Sequence, residues 1–308
     1  MKKFISIWKF SRPHTIVGTF ISVSVLYILA NRVSSHHTNV VPLDYLLTLI
    51  CCLSCNIFIT GLNQIYDIEI DRLNKPNLPL VTSEISVSEA KKLVVFCLMI
   101  ALFFSFHQSY FFGGLITLIA TIGAIYTIPP IRLKRYHLGA ALAISIVRGP
   151  MVNLGIYIHF YLLKYGFPIQ MNMNIALLTA FITVFSIGIA WFKDIPDVEG
   201  DKQNHIQTIS VKYSKKIALW GGLLLVSSVY VLCIIHSILS ISEDWISITN
   251  LKETSINKFW FGIYHLIAWI FLLYKGYKLN IDNQLSVKNF YMTYWILFFL
   301  EYLAFAIL

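Results

Sequence analysis

The sequence predicts an all-α, polytopic membrane protein, and three observations predict it: an apolar composition, regularly spaced apolar runs of spanning length, and a lopsided distribution of Lys and Arg. Of 308 residues, 57% are hydrophobic and 13% charged, with a mean hydropathy of +0.70. An average soluble domain carries roughly a quarter charged residues. Apolar runs fall near 15–31, 45–66, 90–106, 110–127, 138–162, 174–192, 216–239, 259–276 and 289–308. Most are close to the ~20 residues that cross a hydrocarbon core as a helix. Nine transmembrane helices are therefore expected, the third and fourth parted only by a turn at His107–Ser109.

The first run follows Lys2, Lys3, Lys9 and Arg12 but precedes no small-residue cleavage site, so it reads as a retained helix rather than a signal peptide. With no Arg- and Ser-rich transit segment, the chain reads as bacterial, organelle-encoded or mature. The N-terminus and the loops after the second, fourth, sixth and eighth runs hold 19 of the 24 Lys and Arg residues. The positive-inside rule then puts the N-terminus and these loops on the cytoplasmic, or stromal or matrix, side. Topology and an anionic substrate account for the net charge of +9, and no nucleic-acid partner is expected. No Pro-, Gly- or Ser-rich linker appears, so residues 1–308 are read as one domain.

Two acidic clusters close corresponding runs. Asn63, Asp67 and Asp71 follow the second, and Asp194, Asp197 and Asp201 follow the sixth, with Asp67 and Asp197 130 residues apart. At about 100° per residue each set lines one helix face. Spans two and six thus suggest a loose internal repeat whose halves meet with the clusters opposed. A lone acidic residue beyond a membrane helix is usually a solvated loop. Two regular clusters of oxygen-bearing side chains would instead repel one another without a cation. Oxygen donors suit hard Mg²⁺, which is commonly held by carboxylates together with substrate phosphates. A metal–diphosphate site at the membrane surface is the expectation.

Cationic residues flank both clusters. Arg72, Lys75, Lys134, Arg135 and Lys193 are candidate diphosphate ligands, arginine being suited to two-pronged contact. Lys91, Lys92, Lys212, Lys215 and Lys216 read as topology anchors. Arg148 lies inside an apolar run, where a charge is costly and usually faces a polar cavity.

The pairing of Asn63-Gln64-x-x-Asp67-x-x-x-Asp71 with Lys193-Asp194-x-x-Asp197-x-x-Gly200-Asp201 resembles the UbiA superfamily of intramembrane aromatic prenyltransferases. Ser11-Arg12-Pro13-His14-Thr15, Asn74-Lys75-Pro76-x-Leu78-Pro79-Leu80, Pro129-Pro130-Ile131-Arg132-Leu133-Lys134-Arg135 and Val147-Arg148-Gly149 with Val152-Asn153-Leu154-Gly155 are similar to its homogentisate prenyltransferase branch, the phytyl enzymes above all. The likeness runs from Ser11 to about Ser210. It departs at Val81–Ser86, where the branch usually carries glycine.

The resemblance implies nine helices around a central chamber and two Mg²⁺ ions, one held by Asn63, Asp67 and Asp71 and the other by Asp194, Asp197 and Asp201. It implies a prenyl diphosphate donor, phytyl or geranylgeranyl, and homogentisate as acceptor, with loss of carbon dioxide, as in tocopherol synthesis. Homogentisate solanesyl transfer, chlorophyll synthesis and naphthoate or hydroxybenzoate prenylation are the alternatives within that chemistry. Arg148, Asn153 and His14 become candidates for the acceptor's carboxylate and hydroxyls. Tyr66, Tyr126, Phe160, Trp191 and Phe192 are candidates to face an allylic cation through their rings.

Other features carry less. Cys51, Cys52 and Cys55 lie within an apolar run without partner ligands, so packing is expected rather than metal or redox chemistry, and five cysteines do not suggest a disulfide framework. His36-His37 reads as an exposed turn. The competing class is a cation-coupled transporter, which would place its carboxylates near the bilayer midplane in broken helices rather than at helix ends beside basic loops.

Overall fold

Backbone N–H and C=O groups find no partners in hydrocarbon, so long apolar runs satisfy them internally as helices. The computed structural model describes residues 2–32, 41–171, 173–246 and 253–307, and among them the chain forms helices joined by short turns. In order these are α1 (Lys2–Phe10), α2 (Pro13–Asn31), α3 (Pro42–Tyr66), α4 (Ile68–Asn74), α5 (Val87–Gln108), α6 (Tyr110–Thr127), α7 (His137–Ile146), α8 (Val152–Tyr165), α9 (Met173–Lys193), α10 (Val198–Gln203), α11 (Ile209–Lys212), α12 (Lys215–Ile246), α13 (Glu253–Tyr277) and α14 (Gln284–Ile307). A π-helical turn, Val147–Met151, welds α7 to α8 into one span. The His36-His37 pair lies outside the described residues.

Among the described residues, eight helical segments are long and apolar enough to cross a membrane. They match eight of the nine expected runs. The remaining run, 90–106, forms α5, which carries Glu89, Lys91 and Lys92 in its first turns and is not among the eight. It packs against α3 and α6. Sharp boundaries come from local chemistry: Pro13 and Pro42 open α2 and α3, and Ser86 with Glu89 forms a reciprocal capping box at the start of α5.

The acidic clusters do not sit on unbroken helices. Asp67 ends α3 and begins α4, and the segment from Asp194 to Asp197, with Pro196 inside it, separates α9 from α10. Helices α4 and α10 pack against each other, which sets the two clusters face to face. Gly200 permits the contact, because a Cβ there would stand 2.4 Å from the Asn74 Oδ1 that accepts the Gly200 N–H at 3.2 Å.

The turn between α4 and α5 holds Ser83 at φ 59°, a left-handed conformation. It falls in the stretch where the sequence lacks glycine. A non-glycine residue there costs roughly 1–2 kcal/mol. Ser83→Gly is expected to raise the thermal midpoint of the protein in nanodiscs and Ser83→Val to lower it. A glycine variant that melts no later than wild type would show that the serine conformation is not strained.

Candidate active site

Helices α2, α3, α6, α9 and α14, with the span joining α7 to α8, surround a cavity of about 270 Å³. Its wall combines aliphatic side chains, among them Ile116, Ile119, Ile156 and Ile189, with the polar Arg12, His14, Asn63, Tyr126, Arg148 and Lys193. The acidic helix ends adjoin it through Asn63 and Lys193. Asn63 belongs to both, lining the cavity while its Oδ1 accepts from Lys134 Nζ at 3.0 Å and from the Thr127 hydroxyl at 3.3 Å.

Each cluster is threaded with cations. Asp67 is bonded by Lys134 and, at 3.0 Å, by Arg132. Lys75 spans the two clusters, 2.5 Å from Asp197 and 3.8 Å from Asp71. Lys193 lies 3.6 Å from Asp194 and donates to the Tyr126 hydroxyl at 2.9 Å. Asp67, Asp71, Asp194 and Asp201 are all buried. Cationic partners offset the desolvation of Asp67 directly, whereas Asp201 has no ion-pair partner among the described residues.

Six expected oxygen donors therefore converge on one mouth, although among the described residues no three acidic, His or Cys side chains close into a metal cage. Asp71 Oδ2 is buried and accepts no hydrogen bond from the protein. Of the six donors only Asn63 lines the cavity, the five aspartates standing behind it; an oxygen set with spare acceptor capacity fits a hard divalent ion that keeps other ligands from substrate or water.

The structure redistributes some expected roles. Arg72 points away and pairs with Glu69 on the exposed side of α4 at 3.0 Å, while Arg132, quoted in the sequence only within the Pro129–Arg135 segment and given no role, bonds Asp67. Arg135 does not reach the cavity wall; its Nε is buried without a partner. Asn153 also stays off the wall, its amide committed to the Arg148 and Gly149 carbonyls and to Tyr302. Of the five candidate aromatics only Tyr126 lines the cavity. Tyr66 is exposed, Phe160 packs on Tyr27, and Phe192 packs on Phe290 and Tyr294. Trp191 is half-buried off the wall with its indole N–H unpartnered. Cys52 and Cys55 do touch the cavity, as free thiols.

Two arginines and one aromatic helix face were missed. Arg12 lines the cavity at a left-handed φ of 54°, in the Ser-Arg-Pro that opens α2. Arg132 was hidden within the run Arg132–Arg135. The last helix supplies Tyr291, Trp295, Phe298 and Tyr302, whose spacings of four, three and four are the signature of one helix face. Arg148 lies over the Trp295 ring at 4.7 Å, and the His14 ring meets the same indole edge-on at 5.0 Å.

The model of the UbiA prenyltransferase family matches residues 19–297. The chain belongs to this family. It is an integral, multi-pass membrane member of it. Homogentisate phytyltransferase of Synechocystis sp. is 35% identical over 97% of the chain and 94% of its own length. Homogentisate geranylgeranyltransferase of Triticum aestivum is 34% identical over 98% of the chain and 72% of its own length. The solved structure of a UbiA homolog from Archaeoglobus fulgidus bound to GPP and Mg²⁺ shares the fold with a TM-score of 0.66 at 18% identity, covering 98% of the chain and all of that one.

The charge balance of this UbiA site has a measurable signature. Burial, reinforced by Asp194 and Asp197, pushes the Asp201 carboxyl up to about 7, and burial against the pull of Lys193 pushes Asp194 up to about 6. Burial also draws Lys134 down to about 8 despite its bond to Asp67. Between about pH 4 and 7 the folded protein keeps protons on Asp194 and Asp201 that the unfolded chain has released, so metal-free stability falls as pH rises through that window. Asp201→Asn is expected to flatten this fall and to melt later than wild type at pH 8 in EDTA. An unchanged pH profile would show that Asp201 does not carry the buried charge.

Proposed function

We propose that this UbiA-family protein transfers a prenyl group, phytyl as the first choice, from its diphosphate to homogentisate with loss of carbon dioxide, in tocopherol-type prenylquinone synthesis. The observation that carries the reading is the junction, through Asn63 and Lys193, of two opposed, cation-threaded acidic clusters with a cavity lined by isoleucines and by Arg148, whose Nη1 is buried. The names of curated relatives support the acceptor, and at similar identity they divide over the tail among phytyl, geranylgeranyl and solanesyl.

Asn63, Asp67 and Asp71 on one side and Asp194, Asp197 and Asp201 on the other would hold two Mg²⁺ ions. Bound there, Mg²⁺ supplies Lewis-acid stabilisation of charge on a departing diphosphate. Lys134, Lys75 and Lys193 stand at the same mouth and donate to the diphosphate oxygens, with Arg132 as their guanidinium counterpart. The isoleucine wall solvates the prenyl tail and keeps water from the allylic cation until the electron-rich ring attacks it. The Tyr126 and Trp295 faces line that space and favour positive charge. Arg148 receives the acceptor's carboxylate. The distribution of Lys and Arg supports an N-terminus and mouth at the cytoplasmic or stromal face.

The deciding experiment is product formation by the purified protein in lipid nanodiscs with homogentisate and Mg²⁺, offering phytyl, geranylgeranyl, farnesyl and solanesyl diphosphates separately, with and without EDTA. A chelator-sensitive methyl-phytylbenzoquinol is expected. A preference for another tail reassigns the donor, and no product with any tail removes homogentisate as the acceptor. Asp67→Ala and Asp197→Ala are each expected to cut turnover by roughly 100-fold or more with the fold retained. Turnover near wild type in either would end the two-metal assignment. Lys134→Ala should raise KM for the prenyl diphosphate and leave that for the acceptor unchanged; the reverse pattern would move Lys134 out of the diphosphate site.

A further inference from the structure

The span made by α7 and α8 is not regular where it meets the cavity. Its π-helical turn contains Pro150, which has no N–H to give, and the Val152 N–H is shared between the Val147 and Gly149 carbonyls. The donor that an α-helix would assign to the Arg148 carbonyl is thus directed to the carbonyls on either side of it. Asn153 fills the gap: its Nδ2 donates to the Arg148 and Gly149 carbonyls, each at 2.8 Å. Its Oδ1 accepts from the Tyr302 hydroxyl of α14 at 2.9 Å. Gly149 lets the same turn press onto α9, where a Cβ would stand 2.1 Å from Thr183 Oγ1.

Asn153 is fully buried and does not line the cavity, whereas Arg148 and Tyr302 do. An apolar side chain would fill a buried position in a membrane span at lower desolvation cost than an amide. The amide is compensated only because both its N–H groups and its oxygen are used. What it secures is the direction of Arg148, whose guanidinium lies over Trp295 at 4.7 Å and keeps Nη1 buried without a hydrogen-bond partner in the protein. A buried cationic donor with capacity to spare fits an anion in the cavity.

We propose that Asn153 and Tyr302 are positioning residues, an amide–hydroxyl staple that locks the π-helical turn so that Arg148 presents its free N–H to the carboxylate of the aromatic acceptor. This rests on the reading of the acceptor given above. Neither Asn153 nor the Tyr302 hydroxyl touches substrate; both act through Arg148. Tyr302 serves twice, its ring forming cavity wall and its hydroxyl closing the staple.

Steady-state kinetics in nanodiscs tests it. Asn153→Leu is expected to raise KM for homogentisate by roughly 10- to 100-fold, the scale of a misplaced binding group, with KM for the prenyl diphosphate unchanged. Tyr302→Phe keeps the ring, removes one hydrogen bond, and is expected to raise the same KM by roughly 3- to 10-fold. Methylhydroquinone, the same ring without the carboxylate, serves as competitive inhibitor, and its inhibition constant is expected to match wild type in both variants. Equal losses toward both substrates, a fall in kcat alone, or a parallel loss of methylhydroquinone binding would reduce the staple to a structural element. Should Asn153→Leu fail to fold, Tyr302→Phe alone decides. If wild type rejects homogentisate but prenylates another aromatic carboxylate, the functional reading fails separately; the same comparison with that acceptor then decides the staple, and an unchanged KM overturns it.

Discussion

Carboxylates placed at two facing helix ends repel each other unless cations stand between them, and the mouth of this bundle is arranged around that repulsion. Lys75, on the segment leaving α4, reaches across to Asp197 and so ties the two clusters together, with Asn74 joining the backbone of α10 beside it. Lys134 and Arg132 come from the turn after α6, and Lys193 from the end of α9. Opposite charges in this half-buried setting attract more strongly than in water, but each has lost hydration. The lysines that compensate the carboxylates are also the groups proposed above to meet the anionic substrate. On the proposed function, stability of the mouth and affinity for a diphosphate would draw on the same few side chains, so that one replacement there would act on both.

The spans and the clusters were legible in the sequence because the bilayer makes them so: apolar length is obligatory for a crossing helix, and acidic residues at its end stand out against it. The assignment of individual cations was not. Arg72 follows Asp71 directly, yet helix geometry turns it toward Glu69, while Arg132 reaches Asp67 from 65 residues away. Adjacency in the chain predicts direction poorly when a helix rotates about 100° per residue. The break at Asp67 likewise left no proline or glycine as a mark. Aromatic wall residues were hidden for another reason: with 22 Phe, 17 Tyr and 7 Trp, the Tyr291–Tyr302 periodicity has little contrast against its background. Asn153 could be singled out by residue type but not by role, since that role exists only because the helix widens by one residue just before it.

The last spans show how a region without a sequence motif still shapes the site. Helix α14 has two working faces. One carries Tyr291, Trp295, Phe298 and Tyr302 to the cavity, and the other carries Glu301, which is fully buried. Tyr230 of α12 and Tyr264 of α13 donate to Glu301 Oε1 at 2.9 and 3.1 Å, and His265 Nε2 lies 3.1 Å from Oε2. A second contact restricts the imidazole. His265 Nδ1 is 2.7 Å from the Phe261 carbonyl, an atom that only accepts, so Nδ1 carries a proton. The facing Nε2 and Oε2 are then compatible only with one further proton on one or the other. A carboxylate in hydrocarbon would be costly alone; with two hydroxyls and an imidazole it becomes a four-residue knot joining three helices. Because the knot fixes α14 along its axis as well as sideways, it fixes the height at which Trp295 meets Arg148. Directional hydrogen bonds do here what packing of apolar faces alone does not, since a helix in lipid gains little from hydrophobic burial and slides readily past smooth neighbours.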